Sequence, residues 1–230
     1  MNSNSCDSVK PHQVRKIGPT RRSVSGSYPF RGEKSIQYES ALERDFLIRK
    51  EFSLAVLDVI PQPCQIPFVS NDQNYLYTPD FLVYYRLGDM TYPDYPKPVL
   101  IEVKPEKEWR KHWRKWLPKW KAAYSHAKKQ GWEFHIHDES RIRGQALENI
   151  SFLDRYKRMQ FPVEESSWVI ENVRQMGSAP CHYILARHFM GIYRAEGVPH
   201  IWHLLATRQL ECDITLPLND TTELWVPAND

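Results

Sequence analysis

The chain has 230 residues, 41% apolar and 13% aromatic, which is enough for one large domain or two small ones with a real core. Its net charge of +3 is too mild to identify a partner by itself. Four cysteines, at 6, 64, 181 and 212, include no close pair and no CxxC, which speaks against a disulfide framework and for a reducing compartment. The N-terminus shows no signal-peptide core and no 18-residue apolar run exists, so a soluble, cytoplasmic protein is expected.

Residues 1–35 are rich in Ser, Pro and Gly and carry seven Lys/Arg (Lys10, Arg15, Lys16, Arg21, Arg22, Arg31, Lys34) against two acids. This composition predicts a flexible basic arm, either a solubilising tail or a nucleic-acid contact. Leu42, Phe46 and Leu47 recur at helical spacing between 35 and 52. The stretch AVLDVIPQPCQIPFV gives short apolar runs broken by prolines, as at a sheet margin. LYTPDFLVYYRLG reads as one strand closed by Gly88, and a Pro-rich loop leads to a second, VLIEV. Residues 106–130 read as a helix with Gly131 as its stop, and WEFHIHD as another strand. Beyond about 140 the character changes. Residues 141–160 and 179–195 look helical, PHIWHLLATRQL looks like a further helix, and ECDITLPLNDTTELWVP looks like a hairpin turning at Asn219-Asp220. Helices followed by a hairpin fit a winged-helix module. The expected domains are an arm over 1–35, an α/β domain over 36–145 and a small C-terminal domain over 146–230.

The chemistry concentrates in VLIEVKP. An apolar strand ends by placing Glu102 and Lys104 on one face, roughly 7 Å apart, because strand side chains alternate with a period of two. Pro79 cannot donate to a ladder, so it marks the start of the preceding strand and puts Asp80 there. If the two strands pair antiparallel, Asp80 lies opposite Glu102 and Lys104. Two carboxylates bind Mg²⁺, which keeps open positions for phosphate oxygens, polarises the phosphate and acidifies a bound water. A lysine beside them orients that water or neutralises the charge developing on phosphorus. An ordinary hairpin with a surface ion pair has the same residues. A third carboxylate, Glu43, stands upstream on a helix, but Ser40-x-x-Glu43 is also a capping box, and Glu39 competes for the metal role from one turn earlier.

Three segments in order, ESALERDFLIRKEFSLAVLDVIPQP, YTPDFLVYY and VLIEVKP, together resemble the TnsA family of transposon endonucleases, within the PD-(D/E)xK superfamily. The resemblance spans about residues 26–138, and ENISFL continues it into the C-terminal part. It implies a restriction-endonuclease-like α/β fold, a mixed sheet flanked by helices, with a small C-terminal winged-helix-like domain. It implies a bacterial enzyme that cuts the 5′ strands at transposon ends beside a DDE-type transposase and an AAA+ ATPase regulator. Carried over by motif, the catalytic residues are Glu43, Asp80, Glu102 and Lys104. The metal set is Asp80, Glu102, Glu43 and the backbone carbonyl of Val103, holding two Mg²⁺, with Mn²⁺ as a substitute. The alternatives are a stand-alone restriction or repair nuclease and a non-catalytic DNA-binding subunit.

From Lys104 to Lys129 the chain holds ten Lys/Arg and two Glu. Trp109, Trp113, Trp116 and Trp120 form one helical stripe, expected to pack on the sheet, and Pro118 is expected to kink or restart the helix. Arg110, Lys111, Arg114 and Lys115 follow the catalytic lysine on the other faces and are the candidate phosphate contacts for double-stranded DNA. Cys181, His182, His200, His203 and Cys212 match no common zinc spacing. No phosphate-cradling Gly-x4-Gly-Lys-Ser/Thr loop is present, so ATP hydrolysis is not expected of this chain.

Overall fold

The computed structural model describes residues 11–14, 24–87, 95–190 and 194–228. The chain divides into two compact units, one of residues 1–51 and 55–140, the other of residues 52–54 and 141–230.

In the first unit, β1 (Gly26–Phe30) and β2 (Lys34–Tyr38) form an antiparallel hairpin. This corrects the expectation of a flexible arm through residue 35. Tyr28, Phe30 and Ile36 supply the alternating pattern of a strand pair, and Arg31 and Gly32 turn the chain at positive φ. Residues 1–10 and 15–23 of that arm lie outside the described residues. α1 (Ala41–Phe52) follows, with Glu43 in its first turn and Arg49 and Lys50 in its last, as the helix dipole favours. It buries Leu42, Phe46 and Leu47.

The main sheet has four strands in the order β3 (Val56–Pro61), β6 (Phe81–Tyr85), β7 (Val99–Val103), β8 (Glu133–His137). β3–β6 and β6–β7 are antiparallel and β7–β8 is parallel, the parallel step being made through α2 (Glu106–Lys129). β7 is central and all five of its residues are buried, which explains its unbroken apolar run. On one face α2 packs Ala123 and Ala127 against Leu82, Leu100, Ile66 and Tyr77. Phe46 of α1 stacks on Phe81 at 5.0 Å. α2 closes with Gly131 at φ 75°, where the Trp132 amide bonds back to the Ala127 carbonyl at 2.8 Å.

Two expectations for this unit change. LYTPDFLVYYRLG is not one strand. β5 (Gln73–Tyr77) pairs with β4 (Ile66–Ser70) as a separate hairpin, and Thr78-Pro79 breaks the chain before β6. α2 continues through Pro118 as one helix, and the Trp stripe is buried only at its far end. Trp120 is 8% exposed but Trp113 is 45% exposed.

The second unit is helical: α3 (Glu139–Ile142) crosses into it, then α4 (Gln145–Asp154), α5 (Val163–Met176), α6 (Cys181–His188) and α7 (Arg194–Ala206). Between α5 and α6, β9 (Ser178–Pro180) pairs antiparallel with β10 (Glu223–Trp225), and Glu211 bridges to Trp225. Its core gathers Leu153, Val169, Val173, Ile184, Leu185, Ile201, Leu204, Leu205 and Leu224. The helix expected over 141–160 is split at Gly144, which sits at φ 116°. α5 was not anticipated, although Pro162 at its entry and Glu164 and Glu165 in its first turn are helix-start signals. No helix among the described residues is long and apolar enough to cross a membrane.

Candidate active site

The site forms where β6 begins and β7 ends. Phe81 pairs with Ile101 in the antiparallel ladder, so Asp80, one residue earlier, stands across from Glu102. The Val103 amide donates to Asp80 Oδ2 at 2.7 Å. Lys104 leaves β7 with its own amide bonded to the His137 carbonyl of β8 at 3.0 Å. Its ammonium lies 3.9 Å from Asp80 Oδ2 and 3.7 Å from Glu102 Oε1. The structure thus brings Asp80, Glu102 and Lys104 together, as the antiparallel pairing predicts.

Glu43 approaches from the first turn of α1. The capping interaction is formed: the Glu43 amide donates to Ser40 Oγ at 3.1 Å, and the Ser40 hydroxyl donates to Glu43 Oε1 at 2.9 Å. Its other oxygen accepts the Glu39 amide at 2.8 Å. Glu43 also belongs to the same electrostatic cluster, since its charge acts on both Asp80 and Lys104. One side chain therefore caps α1 and acts through its charge on Asp80 and Lys104.

The cluster carries an excess of negative charge in a desolvated place. Burial, and after it the Glu102 carboxylate, hold the Asp80 carboxyl well above the usual carboxylate range, against the pull of Lys104 and the Val103 amide. Burial likewise raises Glu43, against its bonds to Glu39 and Ser40. Burial disfavours the charge on Lys104, yet Asp80, Glu102 and Glu43 more than compensate and raise its pKa, so Lys104 stays an ammonium.

Sequence reasoning missed two contributors. Lys119 of α2 donates to Glu102 Oε1 at 2.8 Å, and Tyr77, the last residue of β5, donates its hydroxyl to Glu102 Oε2 at 2.6 Å. The signal for Lys119 was present. Trp116, Lys119, Trp120, Ala123 and Ala127 share one helical stripe, and a lysine on a buried stripe needs an anionic partner.

The donor set fits a hard divalent cation. All three acidic groups offer carboxylate oxygens, the ligand type of Mg²⁺ and Mn²⁺, and a cation would favour the ionised form of Asp80 and Glu43, which burial disfavours. In this conformation the Lys104 ammonium lies close to both Asp80 and Glu102, and among the described residues no group of three or more His, Cys, Asp or Glu is drawn together tightly enough to hold a metal ion.

Arg110, Lys111, Arg114 and Lys115 are all exposed on α2. Arg110 bonds to Glu106 at 2.6 Å and lies over the Trp109 ring, while Arg114 lies over Trp113. In the second unit, Ser166 and His200 pair at 2.8 Å and Phe161 stacks on His200 at 4.3 Å, so this histidine is absorbed in packing.

Comparison with curated proteins returns no match. Comparison with family models gives two. The TnsA-like endonuclease N-terminal model matches residues 53–139, which include Asp80, Glu102, Lys104 and Lys119, while Glu43 falls before its start. The TnsA endonuclease C-terminal model matches residues 141–214. The two matches adjoin in chain order, the first lying in the first unit from residue 55 on and the second in the second unit, and the chain belongs to the TnsA family of transposon endonucleases.

Proposed function

We propose that this protein is a Mg²⁺-dependent DNA endonuclease that cleaves the 5′ strands at the ends of a transposon, acting in the cytoplasm with a DDE-type transposase and an AAA+ ATPase regulator. The observation that carries the reading is the meeting of Asp80, Glu102 and Lys104 at the β6–β7 junction inside the segment that matches the family. Their joint presence favours an active enzyme over a non-catalytic scaffold.

Asp80 and Glu102, with Glu43 beside them and the Val103 carbonyl at the strand end, are the groups that would hold the metal. The chemistry such an ion would supply there is polarisation of the scissile phosphate and a nucleophilic water at neutral pH. Lys104 remains protonated and offsets negative charge developing on the phosphate oxygens. The Asp80–Val103 hydrogen bond ties the carboxylate to the β7 backbone and fixes its distance from Glu102. Phosphate contacts from Arg110, Lys111, Arg114 and Lys115 hold the duplex without reading its bases. In the second unit, the order α5, β9, α6, α7, Glu211, β10 supports a winged-helix-like module as the partner-binding part.

Asp80→Ala tests the assignment in a transposition assay with the partner transposase. Loss of 5′ cleavage leaves 3′-end joining intact, so cointegrates replace simple insertions. Simple insertions at the wild-type frequency refute the assignment.

A further inference from the structure

Glu102 is the most deeply buried group of the site, with a side chain 2% exposed, and both of its oxygens are engaged by residues outside the Asp80–Glu102–Lys104 motif. Lys119 takes Oε1 and Tyr77 takes Oε2. Lys104, at 3.7 Å from Oε1, is beyond hydrogen-bond distance, whereas Lys119 is at 2.8 Å. The two lysines therefore differ in kind. One is bonded to the carboxylate and the other only lies near it.

Lys119 is itself held. Its ammonium lies over the rings of Tyr77 at 4.7 Å, Trp116 at 5.1 Å and Trp120 at 5.9 Å, and its side chain is 17% exposed. Three aromatic faces attract the cation and restrict the rotamers of its four-carbon stem. A carboxylate oxygen offers two lone pairs, so one bond to each oxygen fixes the rotation of Glu102 and leaves a lone pair on each for a further partner.

We infer that Lys119 is a positioning residue of the nuclease centre: it anchors the buried Glu102 side chain, and so frees Lys104 for the reacting phosphate. The inference rests on the reading of this cluster as a metal-dependent nuclease centre. It also gives the Trp116–Trp120 end of the stripe a use beyond packing, since these rings hold the lysine that holds the carboxylate.

The full-length protein is compared as wild type, Lys119→Met, Lys119→Arg, Glu102→Gln and the Glu102→Gln/Lys119→Met double variant. Thermal unfolding in EDTA reads the Lys119–Glu102 link without any metal. Lys119→Met is expected to lower Tm by about 3–8 °C by leaving a buried carboxylate with one fewer partner. The same change in the Glu102→Gln background is expected to cost much less. Additive shifts overturn the inference. Mn²⁺ titration by calorimetry reads the functional consequence. Lys119→Met is expected to bind about 10–100-fold more weakly, and Lys119→Arg within about threefold of wild type, because a guanidinium still donates to Oε1. Lys119→Met with wild-type Mn²⁺ affinity also overturns the inference. If wild type binds no Mn²⁺, the nuclease reading fails, and the unfolding cycle still decides whether Lys119 anchors Glu102.

Discussion

Replacing Arg110 and Arg114 with Gln measures whether the exposed face of α2 lies on the DNA backbone. Each phosphate neutralised on duplex DNA contributes about 0.9 to the slope of log affinity against log salt. The two arginines are not equivalent. Arg114 is held by the Trp113 ring at 5.3 Å and leaves it at little cost, whereas Arg110 is bonded to the Glu106 carboxylate at 2.6 Å, which a phosphate must displace. Arg114→Gln is therefore expected to flatten the slope by about 0.9 and Arg110→Gln by less, giving roughly 1 to 2 for the pair. Between 50 and 200 mM salt, two full contacts account for a loss of about 12-fold in affinity, so the gap between wild type and the double variant should narrow by about that factor. Fluorescence polarisation on labelled duplexes reads this directly. The loss should be equal for transposon-end and random duplexes, because phosphate contacts carry no base information. An unchanged slope in the double variant refutes the phosphate role, and a loss confined to transposon-end DNA refutes backbone contact as its mechanism.

Glu43→Gln should abolish cleavage while leaving thermal stability nearly unchanged, since an amide oxygen still accepts the Glu39 amide that Glu43 accepts now; cleavage kept in Glu43→Gln but lost in Glu39→Gln assigns the role to Glu39. Trp120→Ala should cost about 3–5 kcal/mol in urea unfolding and Trp113→Ala less than half of that, because Trp113 keeps 45% of its surface in water; equal losses would contradict the packing of α2. Asp80→Asn should raise Tm at pH 7 in EDTA. Burial and Glu102 hold the native Asp80 carboxyl above the unfolded value near 3.8, so the native state binds the proton more tightly and loses stability as pH rises through that span. The advantage of Asn should vanish near pH 3, and a lower Tm for Asp80→Asn at pH 7 would reverse the sign of the argument.

The meeting of Asp80, Glu102 and Lys104 was legible because its cause is local. Pro79 cannot extend a ladder, β7 is apolar through Ile101, and two charges follow at a spacing of two, so strand geometry alone brings Asp80 and Glu102 together once the strands pair antiparallel. The residues around it were less legible. Tyr75, Leu76 and Tyr77 run into Phe81 and Leu82 with only Thr78, Pro79 and Asp80 between them, and this apolar continuity hid the end of β5. The Trp stripe has perfect helical spacing, but spacing does not say where along a helix the sheet stops covering it. The buried residues of α2 are Trp120, Ala123 and Ala127, all in its second half. Lys119 is the one charge in that stripe, and spacing alone does not name the carboxylate it meets. α5 was passed over because Trp168 and Val163 are largely exposed, which blurs its apolar periodicity.

The most direct test of the account is strand-resolved cleavage of a duplex carrying the transposon end, in the presence of the partner transposase and regulator, with Mg²⁺ or EDTA, for wild type and Asp80→Ala. The account predicts a 5′-strand cut that requires the divalent ion and is absent in Asp80→Ala, while 3′-strand cleavage by the transposase persists in both. A metal-dependent 5′ cut of wild-type rate in Asp80→Ala would contradict the central claim that Asp80, Glu102 and Lys104 form the nuclease centre.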